Sequence, residues 1–203
     1  MSDLIITNES IDFWVWINPE HLLTKLNVEN TGRIFSGGLV AKGKSNLMFI
    51  PNPEFGGDIS LFNMGINNNY NVEYILETFR LRSCPDHPSR LMALFLFFSK
   101  EEAEIYQQTH EDHVKNRNLK KCHSCGKVTY SIHDSAWIDF MRGWGMKDDF
   151  TINNCCNSYW RGINVKDCKL SQFGEPWSQE PAREVLLLGQ VEFYNRNLDS
   201  SDS

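Results

Sequence analysis

Residues 183–194 read Arg-Glu-Val-Leu-Leu-Leu-Gly-Gln-Val-Glu-Phe-Tyr, and this stretch restricts the fold more tightly than any other. Glu184 opens a run that is apolar on both faces, Gly189 interrupts it, and alternation resumes with Val191 and Phe193. A run of that kind belongs inside a sheet, and the glycine marks a turn, so the segment is expected to be a closing hairpin. A carboxylate forced to begin a buried strand is held at the edge of the core, poorly solvated and fixed in direction. That is a suitable place for a catalytic or sugar-binding group. The plainer alternative is that Glu184 simply starts the strand.

The chain has 203 residues, enough for one α/β or α+β domain with a substantial core, and shows no repeat. The expected organisation is one domain over residues 1–197 and a disordered acidic, serine-rich tail over 198–203. With 41% hydrophobic and 23% charged residues the composition is that of a folded chain. The net charge of −6 argues against a surface built for general phosphate binding. One locality runs the other way: Lys115, Arg117, Lys120, Lys121 and Lys127 concentrate positive charge in the segment 115–127, which would face a nucleic acid or a pyrophosphate, or be a solvated loop. The longest apolar run, residues 91–98, is too short to span a bilayer, so no membrane partner is expected. Met1-Ser2-Asp3 lacks the basic start of a secretory signal, and six cysteines without such a signal suggest reduced thiols in a cytoplasm.

Residues 11–17 predict a strand, and Asn18-Pro19 a helix start that carries through about Leu26. From Arg33 to Gly65 glycine and proline punctuation (Gly37-Gly38, Pro51, Pro53, Gly56-Gly57) predicts loops and short strands. Asn67-Asn68-Asn69 offers caps for a helix whose apolar face is Val72, Ile75, Leu76 and Phe79, ending near Ser83. Pro85 and Pro88 stiffen the loop 84–90, which feeds a central strand at 91–98; Ser99 and Glu102 then form a capping box. Val128, Tyr130 and Ile132 predict a half-exposed strand, with a short helix near 135–142. Residues 143–181 read as irregular.

The order of these pieces resembles an ADP-ribosyltransferase-like family of bacterial and fungal proteins of unknown function. The pieces that carry the resemblance are Pro88-Ser89-Arg90 with Leu94-Phe95, Tyr159-Trp160-x-Gly162 and Glu184-Val185-Leu186, over roughly residues 70–195. The resemblance implies an α+β fold with a strongly twisted, mainly antiparallel sheet and surrounding helices, and transfer of ADP-ribose from NAD to a protein or nucleic-acid acceptor. Breaking the nicotinamide–ribose bond develops positive charge on the sugar, so a fixed anion is needed beside it. By the resemblance Glu184 supplies that anion, Ser89 bonds the ribose or nicotinamide side, and Arg90 pairs with pyrophosphate. Trp14, Trp16, His87 and Phe95 are the further cofactor-binding candidates, the aromatics stacking on the cofactor or packing as core. The family's first strand carries a His or Arg where this chain reads Phe13-Trp14-Val15-Trp16-Ile17. That departure implies the alternative of an inactive relative, binding NAD, ADP-ribose or a protein partner as an inhibitor, and the short, Asn-rich character of the chain suggests a phage-encoded anti-defence factor.

Two other patterns invite chemistry. Cys122-His123-Ser124-Cys125 spaces two thiolates for one zinc, with His123, His133, Cys155, Cys156 or Cys168 to complete the set, but a second pair at recognised spacing is missing and free thiols are the simpler expectation. Cys84 and His87 pair a nucleophile with a base inside one proline-bound turn that has no evident orienting third group.

Overall fold

The computed structural model describes residues 4–40, 68–144, 148–172, 175–177 and 179–202. Among them the strands build two four-stranded antiparallel sheets and a small ladder. The first sheet contains β1 (Ile5–Thr7), β4 (Leu94–Leu96), β6 (Val128–Asp134) and β9 (Arg183–Leu188), in the spatial order β1-β6-β9-β4. The second contains β2 (Asp12–Ile17), β3 (Arg33–Phe35), β5 (Asn118–Ser124) and β10 (Gln190–Phe193), in the order β2-β5-β10-β3. The ladder is β7 (Ser171–Gln172) with β8 (Glu175–Pro176). The α+β class is therefore as expected, whereas one central sheet is replaced by two.

Residues 183–194 do not form a hairpin, because β9 and β10 belong to different sheets. Gly189 alone connects them, at φ +151°, a conformation that side chains rarely adopt. Its N–H donates to Ser36 Oγ and its carbonyl accepts from Ser36 N, each at 2.9 Å. The passage from β5 to β6 crosses between the sheets beside it, through Gly126 at φ +73°, and Cys125 N donates to Gln190 O at 3.1 Å. This crossing explains why the run 185–187 is apolar on both faces. Val185 and Leu187 enter a core shared by the two sheets with Phe13, Val15, Tyr130 and Phe193. Leu186 enters a second core on the opposite face of the first sheet. Each such side chain contributes about 2 kcal/mol of transfer free energy when fully buried.

The second core is covered by three helices, α3 (Asn68–Ser83), α6 (Ala136–Trp144) and α7 (Asp149–Trp160). The helix over α3 follows the predicted face, with Val72 and Leu76 fully buried. Helix α7 corrects the irregular reading of 143–181. Asp148 caps it by accepting from Thr151 N at 2.8 Å, and Cys155, Cys156, Tyr159 and Trp160 are its buried stripe. Its predecessors are α1 (Leu22–Thr31), α2 (Gly37–Val40), α4 (Lys100–Thr109) and α5 (Glu111–Val114). Helix α1 begins later than predicted because Asn18 caps a turn instead, accepting from Glu20 N at 2.9 Å, and His21 becomes the helix cap. Ser99 does cap α4, accepting from Glu102 N at 3.2 Å. The glycine- and proline-rich stretch from 41 to 67 lies outside the described residues.

Three further expectations are corrected. The strand predicted at 91–98 is only β4 and lies at the edge of its sheet, since Met92 N and Ala93 N fold back onto Ser89 O in a turn. Its continuation, Phe97, forms a bridge to Trp14 and so joins the second sheet. Strand β6 is mostly buried, because a sheet neighbour lies on each side and cores lie on both faces. Residues 198–202, expected as a disordered tail, pack along β5. Leu198 is 7% exposed, and the fully buried Lys120 donates through Nζ to Asn197 O, Ser200 O and Asp202 Oδ1 at 2.8, 3.1 and 2.5 Å. Among the described residues no helix is long and apolar enough to cross a membrane.

Two stability predictions follow from this architecture. A Cβ on Gly189 would lie 2.7 Å from Val128 Cγ1, so Gly189→Ala is expected to lower unfolding free energy by about 1–3 kcal/mol in a denaturant titration. Asp202→Ala removes the charge facing buried Lys120, and a loss of roughly 3 kcal/mol is expected by the same measurement. An unchanged midpoint for either variant would contradict the corresponding contact.

Candidate functional site

Arg80 on α3 sets the position of the loop that carries Arg90. Its guanidinium pairs with Glu77 and donates through Nη1 to the carbonyls of Pro85 and His87 at 2.8 and 3.0 Å. The two prolines and these bonds leave the loop little freedom, and the turn at 89–93 points Arg90 inward, where it is 5% exposed. Buried guanidinium must be neutralised, and two carboxylates do so. Glu73 on α3 takes Nε and Nη2 in a fork at 2.6 and 2.9 Å. Glu184 takes Nη1 on its Oε1, and Tyr159 on α7 closes the triangle, accepting from Arg90 Nη1 at 2.6 Å and donating to Glu184 Oε1 at 2.7 Å. The guanidinium carbon lies 4.9 Å from the Phe95 ring centroid and 5.3 Å from that of Tyr159.

Burial raises the Glu184 carboxyl above its ordinary range, and Arg90 with the Tyr159 hydroxyl opposes that rise. Burial works against the charge of Arg90, but Glu184 and Glu73 outweigh it and raise its pKa. The network is thus an ion triad with a neutral tyrosine, whose own ionisation burial makes harder. Both bonds to Glu184 fall on Oε1, and among the described residues Oε2 takes none.

Glu184 lines a cavity of about 280 Å³. Trp16, Phe95, Phe97 and Tyr106 supply aromatic walls, Glu73 and Arg90 share the inner end, and Arg142, Arg117, His110 and His113 bring positive or protonatable groups. The indole N–H of Trp16 is used on Ala103 O at 3.2 Å, so Trp16 offers the cavity its ring. His110 Nε2 contacts Asp139 Oδ1 at 2.9 Å and stacks on Tyr106 at 4.3 Å between centroids.

Of the residues singled out in the sequence, Glu184, Arg90, Phe95 and Trp16 meet at this cavity, and Ser89, His87 and Trp14 are not among its lining. Every nitrogen of Arg90 donates within the protein, four of its five N–H groups being used on Glu73, Tyr159 and Glu184, so a bidentate grip on pyrophosphate would require rupture of the triad. Ser89 Oγ is buried with no partner among the described residues. His87 is turned into the core, 6.0 Å from Trp160 and 6.2 Å from His133 between ring centroids, away from any role with Cys84 at a cleft. Trp14 packs beside Phe97, with Lys100 Nζ 5.8 Å from its ring.

The zinc candidates separate. Cys122 is sealed in the inter-sheet core, where burial pushes its thiol far up, and Cys125 sits half-buried in the crossing loop. Among the described residues no three His, Cys, Asp or Glu side chains are grouped to hold a metal. The basic segment also disperses: Lys120 is buried, Lys121 pairs with Asp12 at 2.8 Å, Arg117 lines the cavity, and Lys115 and Lys127 are exposed.

Glu73, Tyr159 and Arg142 were not anticipated as site residues. Tyr159 was legible as part of a stripe, Ile152, Cys155, Cys156, Tyr159 and Trp160, once cysteine is counted as apolar. Glu73 had no signal beyond its place beside the apolar face of α3. His133, paired in register with Glu184, anchors the same region: its ring stacks on Tyr159 at 4.5 Å, Nδ1 donates to Tyr159 O at 2.9 Å and Nε2 accepts from Ser131 Oγ at 2.7 Å.

Burial depresses the His133 pKa from 6.5 to about 3. Below pH 6.5 the unfolded chain takes up a proton that the folded chain refuses, so stability is full above that pH and falls continuously as pH drops toward 3. The expected loss between pH 7 and pH 5 is about 2 kcal/mol from this group. His133→Gln should flatten that slope in denaturant titrations at both pH values; an unchanged slope would exclude His133 as its source.

No curated protein matches the chain. Residues 57–172, more than half of its length and including Glu73, Arg90, Arg142 and Tyr159, match the model of a family described as a protein of unknown function, DUF2441, and the chain belongs to that family.

Proposed function

We propose that the chain is an ADP-ribosyltransferase-like protein that binds NAD in the cavity before Glu184 and transfers its ADP-ribose to a protein or nucleic-acid acceptor. The observation that carries this reading is the Glu184 carboxylate itself: buried, oriented through Oε1 by Arg90 and Tyr159, and lining a cavity with Oε2 unengaged among the described residues. In the reaction the bond between ribose C1′ and the nicotinamide nitrogen breaks, and nicotinamide leaves with the electron pair as a neutral molecule. The positive charge that grows on the ribose is stabilised by a fixed anion, which Glu184 supplies while accepting a hydrogen bond from a ribose hydroxyl. The acceptor nucleophile then bonds to C1′ and gives up its proton.

The walls suit this ligand. Trp16, Phe95 and Tyr106 present flat faces to a cationic pyridinium ring, and a cavity near 280 Å³ accommodates the nicotinamide and ribose with the rest of the dinucleotide extending outward. Arg90 acts as a positioning residue, since each of its nitrogens is engaged by Glu73, Tyr159 or Glu184.

A second reading is favoured by one specific observation. The first sheet-forming aromatic strand brings only the face of Trp16 to the cavity, with its N–H used on Ala103 O, so β2 supplies no polar group to fix the ribose. The chain would then bind NAD or ADP-ribose, or a protein partner, without turnover.

Nicotinamide release from NAD, followed alongside calorimetric binding, separates the readings. Under the enzymatic reading, Glu184→Gln retains NAD affinity within about threefold and loses roughly 10²- to 10³-fold in release. Saturable NAD binding with no release from the unaltered protein supports the second reading, and absence of NAD and ADP-ribose binding removes both nucleotide readings.

A further inference from the structure

Arg142, on α6, is the cation in the cavity that the protein leaves least satisfied. Two carboxylates lie within ion-pair range of it, Glu73 at 3.7 Å and Asp139 at 3.8 Å, both beyond hydrogen-bonding distance. Each is already committed by shorter bonds. Glu73 gives both oxygens to the fork with Arg90, and Asp139 gives Oδ1 to His110 Nε2 at 2.9 Å and Oδ2 to Gln179 Nε2 at 2.6 Å. The Nε of Arg142 is buried with no partner among the described residues. A buried guanidinium nitrogen without an acceptor is costly, and nearly all such groups in folded proteins have one.

Other groups converge on the same place. Arg117 and His113 line the cavity with Arg142, at its more exposed end. The proton affinity of His113 is lowered by burial first and then by His110, Arg142 and Arg117, which is the signature of cations gathered around one point. Asp112 also reaches this rim, but from an exposed position on α5.

We propose that Arg142, with Arg117 and His113, forms an anion subsite at the outer end of the cavity that receives a phosphate group of the ligand. The guanidinium of Arg142 matches two phosphate oxygens at once, and the rim residues Arg117 and His113 add a second guanidinium and an imidazole within the same lining. Arg142 makes no ion pair with Glu184, so a phosphate on Arg142 leaves the Arg90–Glu184 pair in place. The choice of NAD as its bearer rests on the function proposed above; the anion site itself does not. The same phosphate chemistry belongs to the diphosphate of a nucleotide and to a phosphorylated acceptor.

The test is calorimetric titration of the unaltered protein, Arg142→Ala and Arg142→Lys with inorganic pyrophosphate, ADP-ribose, O-phosphoserine and nicotinamide riboside, with circular dichroism to verify folding. Saturable pyrophosphate binding that weakens about tenfold or more in Arg142→Ala, and less in Arg142→Lys, is the expected result. Competition by ADP-ribose identifies a nucleotide phosphate, and competition by O-phosphoserine alone identifies an acceptor phosphate; either supports the subsite. Should Arg142→Ala fail to fold, Arg142→Gln takes its place. Failure of pyrophosphate to bind the unaltered protein, or equal affinity in a folded variant lacking the guanidinium, overturns the proposal. Nicotinamide riboside carries no phosphate, so its binding is expected to be unchanged in Arg142→Ala; its failure to bind any form, with pyrophosphate binding intact, sinks the nicotinamide site and leaves the anion site standing.

Discussion

A guanidinium placed in a protein interior has to be matched by negative charge, and in this molecule that requirement reaches across four separate parts of the chain. Arg90 comes from a loop, Glu73 from the first long helix, Tyr159 from the last long helix and Glu184 from an inner strand. Each carboxylate alone would be driven toward its neutral form by burial, and Arg90 alone would be expelled to water. Together they lock α3, α7 and the first sheet into one arrangement, with Phe95 and Tyr159 flanking the cation. Buried ion pairs add little net stability compared with apolar packing, but they tolerate few alternatives. What the triad contributes is a defined geometry for one carboxylate facing a cavity.

Around that centre satisfaction is graded. Arg80, Lys120 and Arg90 are buried cations in which every side-chain nitrogen donates to a carbonyl, a carboxylate or, for Arg90, also the Tyr159 hydroxyl. Arg142 departs from this pattern, and it does so at the cavity. Of the buried polar atoms without a partner among the described residues, the Arg142 Nε is the one whose side chain lines the cavity before Glu184.

The elements that were legible in the sequence are those where one physical cause dominates. The helix through Val72, Leu76 and Phe79, the Ser99 cap and the buried run at 185–187 follow from periodicity, capping and burial alone. The assembly of two sheets was not legible, because an interrupting glycine marks a hairpin and a sheet-to-sheet corner alike; only the partners of β9 and β10 distinguish them. Helix α7 was obscured by Asn153, Asn154 and Asn157, weak helix formers that its buried cysteines and aromatics override. At the site Glu184 and Arg90 could be picked out, but their mutual bond could not, since nothing in spacing tells residues 94 positions apart that they meet. The tail was misjudged because its composition is polar; the buried lysine that it satisfies lies in another segment.

Both sheets take an inner strand from the segment 183–193, one on each side of Gly189. A nascent chain that has emerged only to residue 180 therefore holds two incomplete sheets, with β4 and β3 separated from β6 and β5 by the gaps that β9 and β10 fill. Neither core can close by local growth, and unpaired strand edges stay exposed until synthesis has passed that point. Assembly consequently waits on residues 183–193, one short stretch that completes both sheets at once.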